Sequence, residues 1–258
     1  MKKTIFAALL AAAAFTVPAT SSAGIVWSES GGAGAGELLG TAQIISNGQY
    51  DTLDAITGNL FSSVPLNGSP RYQVDLFQIR IDDVTTFSAR TVGSDFDTEL
   101  FLFDSNGFGV YANDDDVASI DSSSLLPAGH ANGPASANLY YLAVAFGGFI
   151  ANDVFDNPVF QAGGFTDVLG PNPGAGSLAS WVEGFSAASE VPVGYRIELT
   201  GVTTGERPAQ VPEPASTALA LTAVLGAWAA RRRARRTSMQ QGAHSSAAVL
   251  SLEVTHHA

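Results

Sequence analysis

The chain has 258 residues, no cysteine and a formal net charge of −12. Between Gly24 and Gln210 there are 22 Asp and Glu against five arginines and no lysine, a net of −17. So acidic a surface repels phosphate backbones, which excludes nucleic-acid binding and disfavours acidic lipid headgroups. The absent cysteines exclude disulfides, thiolate metal sites and cysteine nucleophiles.

At the start, Lys2 and Lys3 precede an apolar run of 13 residues, Ile5–Val17, and then the small-residue stretch Ser21-Ser22-Ala23. A basic start, a short apolar core and a small-x-small site predict a secretory signal peptide over 1–23. The run falls well short of the ~20 residues that cross a bilayer. Residues 24–36 include GGAGAG at 31–36 and are expected to be a flexible lead-in.

The folded region is expected over 37–203. In QVDLFQIRI (73–81), Phe77, Ile79 and Ile81 alternate with Gln78 and Arg80, the period of a half-buried strand. VTTFSARTV (84–92) repeats the pattern, and TELFLFD (98–104) is apolar on both faces beyond Glu99, as in a central strand. SNGFG (105–109) supplies turn residues, and VYAND returns as a hairpin partner. LYYLAVAF (139–146) and VGYRIELTGV (193–202) complete the strong strands. No long amphipathic helix intervenes, so the fold class is all-β, an antiparallel β-sandwich. Residues 147–177 interrupt the strands with a long loop of the kind that is functional or mobile.

Asp95, Asp97 and Glu99 alternate along a strand and point to one face. Asp114, Asp115 and Asp116 lie across the hairpin from them. Clustered carboxylates suit Ca²⁺, which takes six to eight oxygen ligands. The predicted calcium ligands are Asp95, Asp97, Asp114, Asp115 and Asp116. The competing reading has these aspartates capping turns and solvating loops. No catalytic residue is assigned. His130, the only histidine between 24 and 210, sits in a Gly/Pro/Asn-rich loop, and no Gly-x-Ser-x-Gly elbow occurs. Trp181, Tyr140 and Tyr141 are expected in the core rather than stacked on sugars.

Two resemblances follow from these residues. Asp75 and Phe77, Asp95 and Asp97, Asp104, and Asn113–Asp116 stand in the order seen in the bacterial pre-peptidase C-terminal (PPC) domain. The resemblance covers roughly 25–203 and implies a jelly-roll-like sandwich of noncatalytic accessory type. After a 204–210 linker, Val211-Pro212-Glu213-Pro214, an apolar segment (215–230) and Arg231, Arg232, Arg233, Arg235 and Arg236 resemble the PEP-CTERM sorting signal (211–236). That resemblance implies recognition by an exosortase-type membrane transpeptidase in bacteria that make exopolysaccharide. Such tails normally end at the basic cluster, whereas here 237–258 continue.

The 16 residues of 215–230 make about 24 Å of helix at ~1.5 Å each, against ~30 Å of hydrocarbon. Trp228 at the interface and snorkelling arginines reduce the mismatch, and the arginines would stay cytoplasmic. The expected protein is exported and non-enzymatic, passing through the inner membrane to the cell surface or matrix, with exopolysaccharide as partner. The other reading is a calcium-dependent carbohydrate-binding protein or secreted hydrolase using the acidic loops.

Overall fold

The computed structural model describes residues 23–30, 34–61, 73–94, 96–118, 122–183 and 192–205, together with Leu225, Ala227, Trp228, Arg231 and Arg232. Residues 1–22 of the expected signal peptide (1–23), Asp95, the expected sorting motif Val211–Pro214 and the extension 237–258 lie outside the described residues. The chain divides into two units, Met1–Arg207 and Pro208–Ala258.

The first unit is built from strands. They are β1 (Ile25–Ser28), β2 (Gln43–Ile44), β3 (Leu53–Leu60), β4 (Val74–Ile81), β5 (Ser88–Thr91), β6 (Thr98–Asp104) and β7 (Gly109–Asn113). After them come β8 (Leu125–Leu126), β9 (Asn138–Phe146), β10 (Ile150–Asn152), β11 (Ser180–Val182), β12 (Val193–Thr200) and β13 (Val202–Thr203). One sheet runs β1-β3-β12-β5-β8 and a second runs β13-β4-β9-β6-β7, with β2 also paired to β4. β10 and β11 form a separate ribbon.

The all-β expectation holds, but the sheets are mixed rather than purely antiparallel. β1 pairs with β3, and β2 with β4, in parallel. Both parallel pairs join strands separated by long connections, which a hairpin cannot provide. β1 also falls inside the expected lead-in, and Ala35 is buried with its N–H donating to Asp75 Oδ1 at 2.7 Å. The predicted strand 84–92 shortens to β5, because Asp83 Oδ1 accepts the Thr85 N–H at 2.9 Å and turns the chain there.

Both sheets feed one core. Leu53, Ile56, Ala89, Ile197 and Leu199 from the first join Leu76, Phe77, Ile79, Leu100 and Leu142 from the second. Alternation explains β12, where Tyr195, Ile197 and Leu199 are buried and Gly194, Glu198 and Thr200 are exposed. β4 and β6 lie in the interior of their sheet, and their near-continuous burial is the pattern of strands covered on both faces. Gly201, at φ 71°, separates β12 from β13 and lets the chain cross from one sheet to the other.

In the second unit, Leu225, Ala227, Trp228, Arg231 and Arg232 are helical, and the Arg232 guanidinium lies 4.0 Å from the centre of the Trp228 ring. That is a cation–π contact between side chains at helical i, i+4 spacing. Among the described residues no helix is long and apolar enough to cross a membrane.

Candidate metal centre

Asp97 is the residue before β6. The strand start is pinned by Thr98, whose hydroxyl lies 2.7 Å from Thr91 Oγ1 and 2.8 Å from Ser124 Oγ, all three side chains being buried. Period two then puts Asp97, Glu99 and Phe101 on one face. Gly147 donates its N–H to the Asp97 carbonyl at 3.1 Å. A Cβ on Gly147 would lie 2.7 Å from Asp97 Cγ, so glycine leaves the room that the carboxylate occupies.

Across the hairpin, Asn113 ends β7 and organises the acidic loop. Its Nδ2 donates to the carbonyls of Asp115 (3.0 Å) and Asp167 (3.2 Å), and its Oδ1 accepts the Leu125 N–H at 2.8 Å. Asp115 N–H donates to the Phe165 carbonyl at 2.9 Å and Asp116 N–H to that of Ser123 at 2.6 Å. Three chain segments therefore fix the direction of residues 114–116.

One carboxylate oxygen from each of Asp97, Asp114 and Asp115 lies within 4.8 Å of the others. Ca²⁺–oxygen distances of about 2.3–2.6 Å put two ligands of one ion no more than about 5 Å apart, so the trio fits a single ion. Glu99, only 5% exposed, lies near enough for the charges of Asp114 and Asp97 to act on it. Among the described residues, no hydrogen-bond donor reaches Glu99 Oε2, Asp114 Oδ1 or Asp115 Oδ1. Buried acceptors without donors are costly, and a cation satisfies them.

Electrostatics agree. Burial first, and then the charges of Asp97 and Asp115, push Asp114 up to about 7. Burial and Asp115 raise Asp97. Glu99 is held well above its ordinary value by burial and Asp114, against the opposing N–H groups of Gly148 and Phe149. All three directions arise first from burial and then from neighbouring carboxyl groups, and a bound cation would oppose both.

Of the predicted ligands, Asp97, Asp114 and Asp115 come together. Asp116 does not join them: its Oδ2 lies 3.0 Å from Arg90 Nη2, and its Oδ1 accepts the Ala118 N–H. Asp95 lies outside the described residues. Alternation puts Glu99 on the same face as Asp97, although the predicted ligand set does not include it. The supporting roles of Asn113 and Gly147 had no local signal.

A cleft of about 500 Å³ opens beside the carboxylates. Glu99 and Asp114 line it together with Phe101, Phe149, Phe160 and Leu169. A more polar cleft of about 520 Å³ lies around Asp104, Asn132 and Tyr140. Asp104 Oδ1 is already engaged there by the N–H groups of Asn106 and Phe108. His130 stacks on Tyr111 with ring centres 6.1 Å apart, and its Nδ1 accepts the Asn132 N–H at 3.2 Å. Trp181 packs edge-on to Phe101 and donates to the Glu37 carbonyl at 2.7 Å, a core role as expected. No protein-family model, curated protein or solved structure matches the chain.

Proposed function

We propose that this chain is an exported, non-enzymatic protein of the cell surface or extracellular matrix, structural or adhesive in an exopolysaccharide setting. Its β unit is a jelly-roll-like sandwich of the PPC type that binds Ca²⁺ through Asp97, Asp114 and Asp115. Residues 1–23 direct export. The tail 211–236 spans the inner membrane in transit through 215–230 and is handed to an exosortase-type transpeptidase at Val211-Pro212-Glu213-Pro214.

The observation that carries the calcium reading is the convergence of three carboxylates within 4.8 Å, with buried oxygens that no donor reaches among the described residues. Outside the cell calcium is plentiful, so a weak site fills. The ion would tie the start of β6 to the loop after β7. The sorting reading rests on the sequence of the two ends.

Melting of the full chain in EDTA and in added CaCl₂ tests the ion. At tenfold saturation, linkage raises the melting temperature by ~3–6 °C for a unit of this size. The rise is lost in the Asp97→Asn, Asp115→Asn double variant. A melting temperature indifferent to EDTA and calcium overturns the calcium reading. Mass spectrometry of the native mature protein tests sorting separately. The expected chain starts at Gly24 and ends near Pro212–Pro214, and an intact Ala258 terminus refutes processing.

A further inference from the structure

We propose that the cleft beside the carboxylates binds an amphipathic organic cation, a primary ammonium on an apolar body. The body packs on Phe101, Phe149, Phe160 and Leu169, and the charge sits at Glu99 and Asp114. This goes beyond the calcium reading and stands without it.

A metal ion alone does not account for the cleft. Calcium needs oxygens, whereas most of this wall is apolar, and about 500 Å³ is the size of a small-molecule site. The polar groups at its end are of one kind. Once a bound cation draws them into the ionised form these carboxyls only accept hydrogen bonds, and among the described residues no donor reaches the buried Glu99 Oε2 or Asp114 Oδ1. Glu99 is 5% exposed and lines the cleft, so the missing donor has to come from that side or from the ion.

The remaining lining decides the sign of the ligand. Gln161 and Asn172 are the cleft's two amide side chains. Gln161 Nε2 already donates to the Pro171 carbonyl at 3.1 Å and Asn172 Nδ2 to that of Pro158 at 3.0 Å. Among the described residues no lysine, arginine or histidine lines the cleft. An anion would meet carboxylates and engaged amides, and a sugar hydroxyl would find acceptors but few donors. A primary ammonium brings three N–H donors and no acceptor, matching what the cleft lacks. With calcium on the trio, Glu99 remains outside the ligand set and still lines the cleft, so the two ligands are compatible.

Calorimetric titration of the full chain in EDTA tests this without dependence on calcium. Three probes of one shape are used: 2-phenylethylammonium, 2-phenylethanol and 3-phenylpropanoate. The ammonium is expected to bind at least tenfold more tightly than the alcohol, with the carboxylate weakest. Glu99→Gln brings the ammonium down to the level of the alcohol while leaving the melting temperature unchanged or raised, because the amide is nearly isosteric with the carboxyl and carries no charge to be buried. Asp114→Asn, as a second variant, weakens the ammonium in the same direction. Equal binding of ammonium and alcohol, no binding of the ammonium at 10-fold the alcohol's dissociation constant, or an ammonium affinity unchanged in both variants overturns the proposal.

Discussion

Asp75 is fully buried at the second position of β4 and holds three parts of the chain at once. Its Oδ1 accepts the Ala35 N–H and its Oδ2 accepts the Tyr195 hydroxyl, each at 2.7 Å. Tyr195 comes from the opposite sheet, so the bond crosses the core. Glu29, just after β1, is the second carboxyl of the pair, and its Oε2 accepts the Asn59 N–H at 2.8 Å. Burial, followed by the Glu29 charge, pushes Asp75 up to about 7 from an ordinary 3.8. The neutral acid is therefore favoured in the folded state. Its contribution to stability is full below about 3.8 and is lost as pH rises through about 7. Asp75→Asn is expected to flatten the decline of the urea midpoint between these limits, by at most the ~1.4 kcal/mol per pH unit that one proton supplies. Parallel pH profiles for the two proteins check this. Asp75 was visible as part of an Asp-x-Phe pattern, but the tyrosine and glutamate that bury it lie 120 and 46 positions away. Asp116 shows the same limit, since its partner Arg90 sits on another sheet's strand.

Elements with a strong period and clean turns were legible. β6 and β7 follow from their apolar pattern and from Asn106-Gly107, with Gly107 at φ 85°. β3 was not, because LDAITGNL carries Asp54, Gly58 and Asn59 and reads as turn residues. The tertiary reason for Gly58 is steric: a Cβ there would lie 2.2 Å from the Tyr195 hydroxyl oxygen. Residues 147–177 are not one loop as expected, since they include β10, and Asp153 ties the turns that follow it. Asp153 accepts the N–H groups of Phe155 (2.8 Å), Asn157 (3.0 Å) and Gly176 (2.8 Å). These bonds, led by Gly176, hold its carboxyl down to about 2. Its support is present above the ordinary carboxylate range and fails as pH falls through about 2. Asp153→Ala is expected to speed amide exchange across 153–178 at least tenfold while β4 and β9 stay protected, and hydrogen-exchange mass spectrometry reads both. Because this stretch also supplies Phe160 and Leu169, its order determines the shape of the cleft.

At the scale of the molecule, the two sheets share one core, so neither is expected to unfold without the other. Phe77 is fully buried in that core. Phe77→Ala costs about 3–5 kcal/mol through lost burial and the cavity left behind. In a denaturant titration the tryptophan and circular-dichroism transitions should coincide in both proteins and shift together. Separated transitions would mean that the sheets are independent. The sequence alone determined the acidic surface, the absence of covalent cross-links, the all-β class and most strong strands. Each of these depends on composition or on a period of two, which are local properties. Only the tertiary structure decided that β1 and β2 pair in parallel, that Asp114 and Asp115 but not Asp116 turn toward Asp97, and that Glu99 faces an apolar cleft. Those outcomes depend on register and on contacts between residues far apart in the chain, where burial and the geometry of hydrogen bonds select one partner among many acidic candidates.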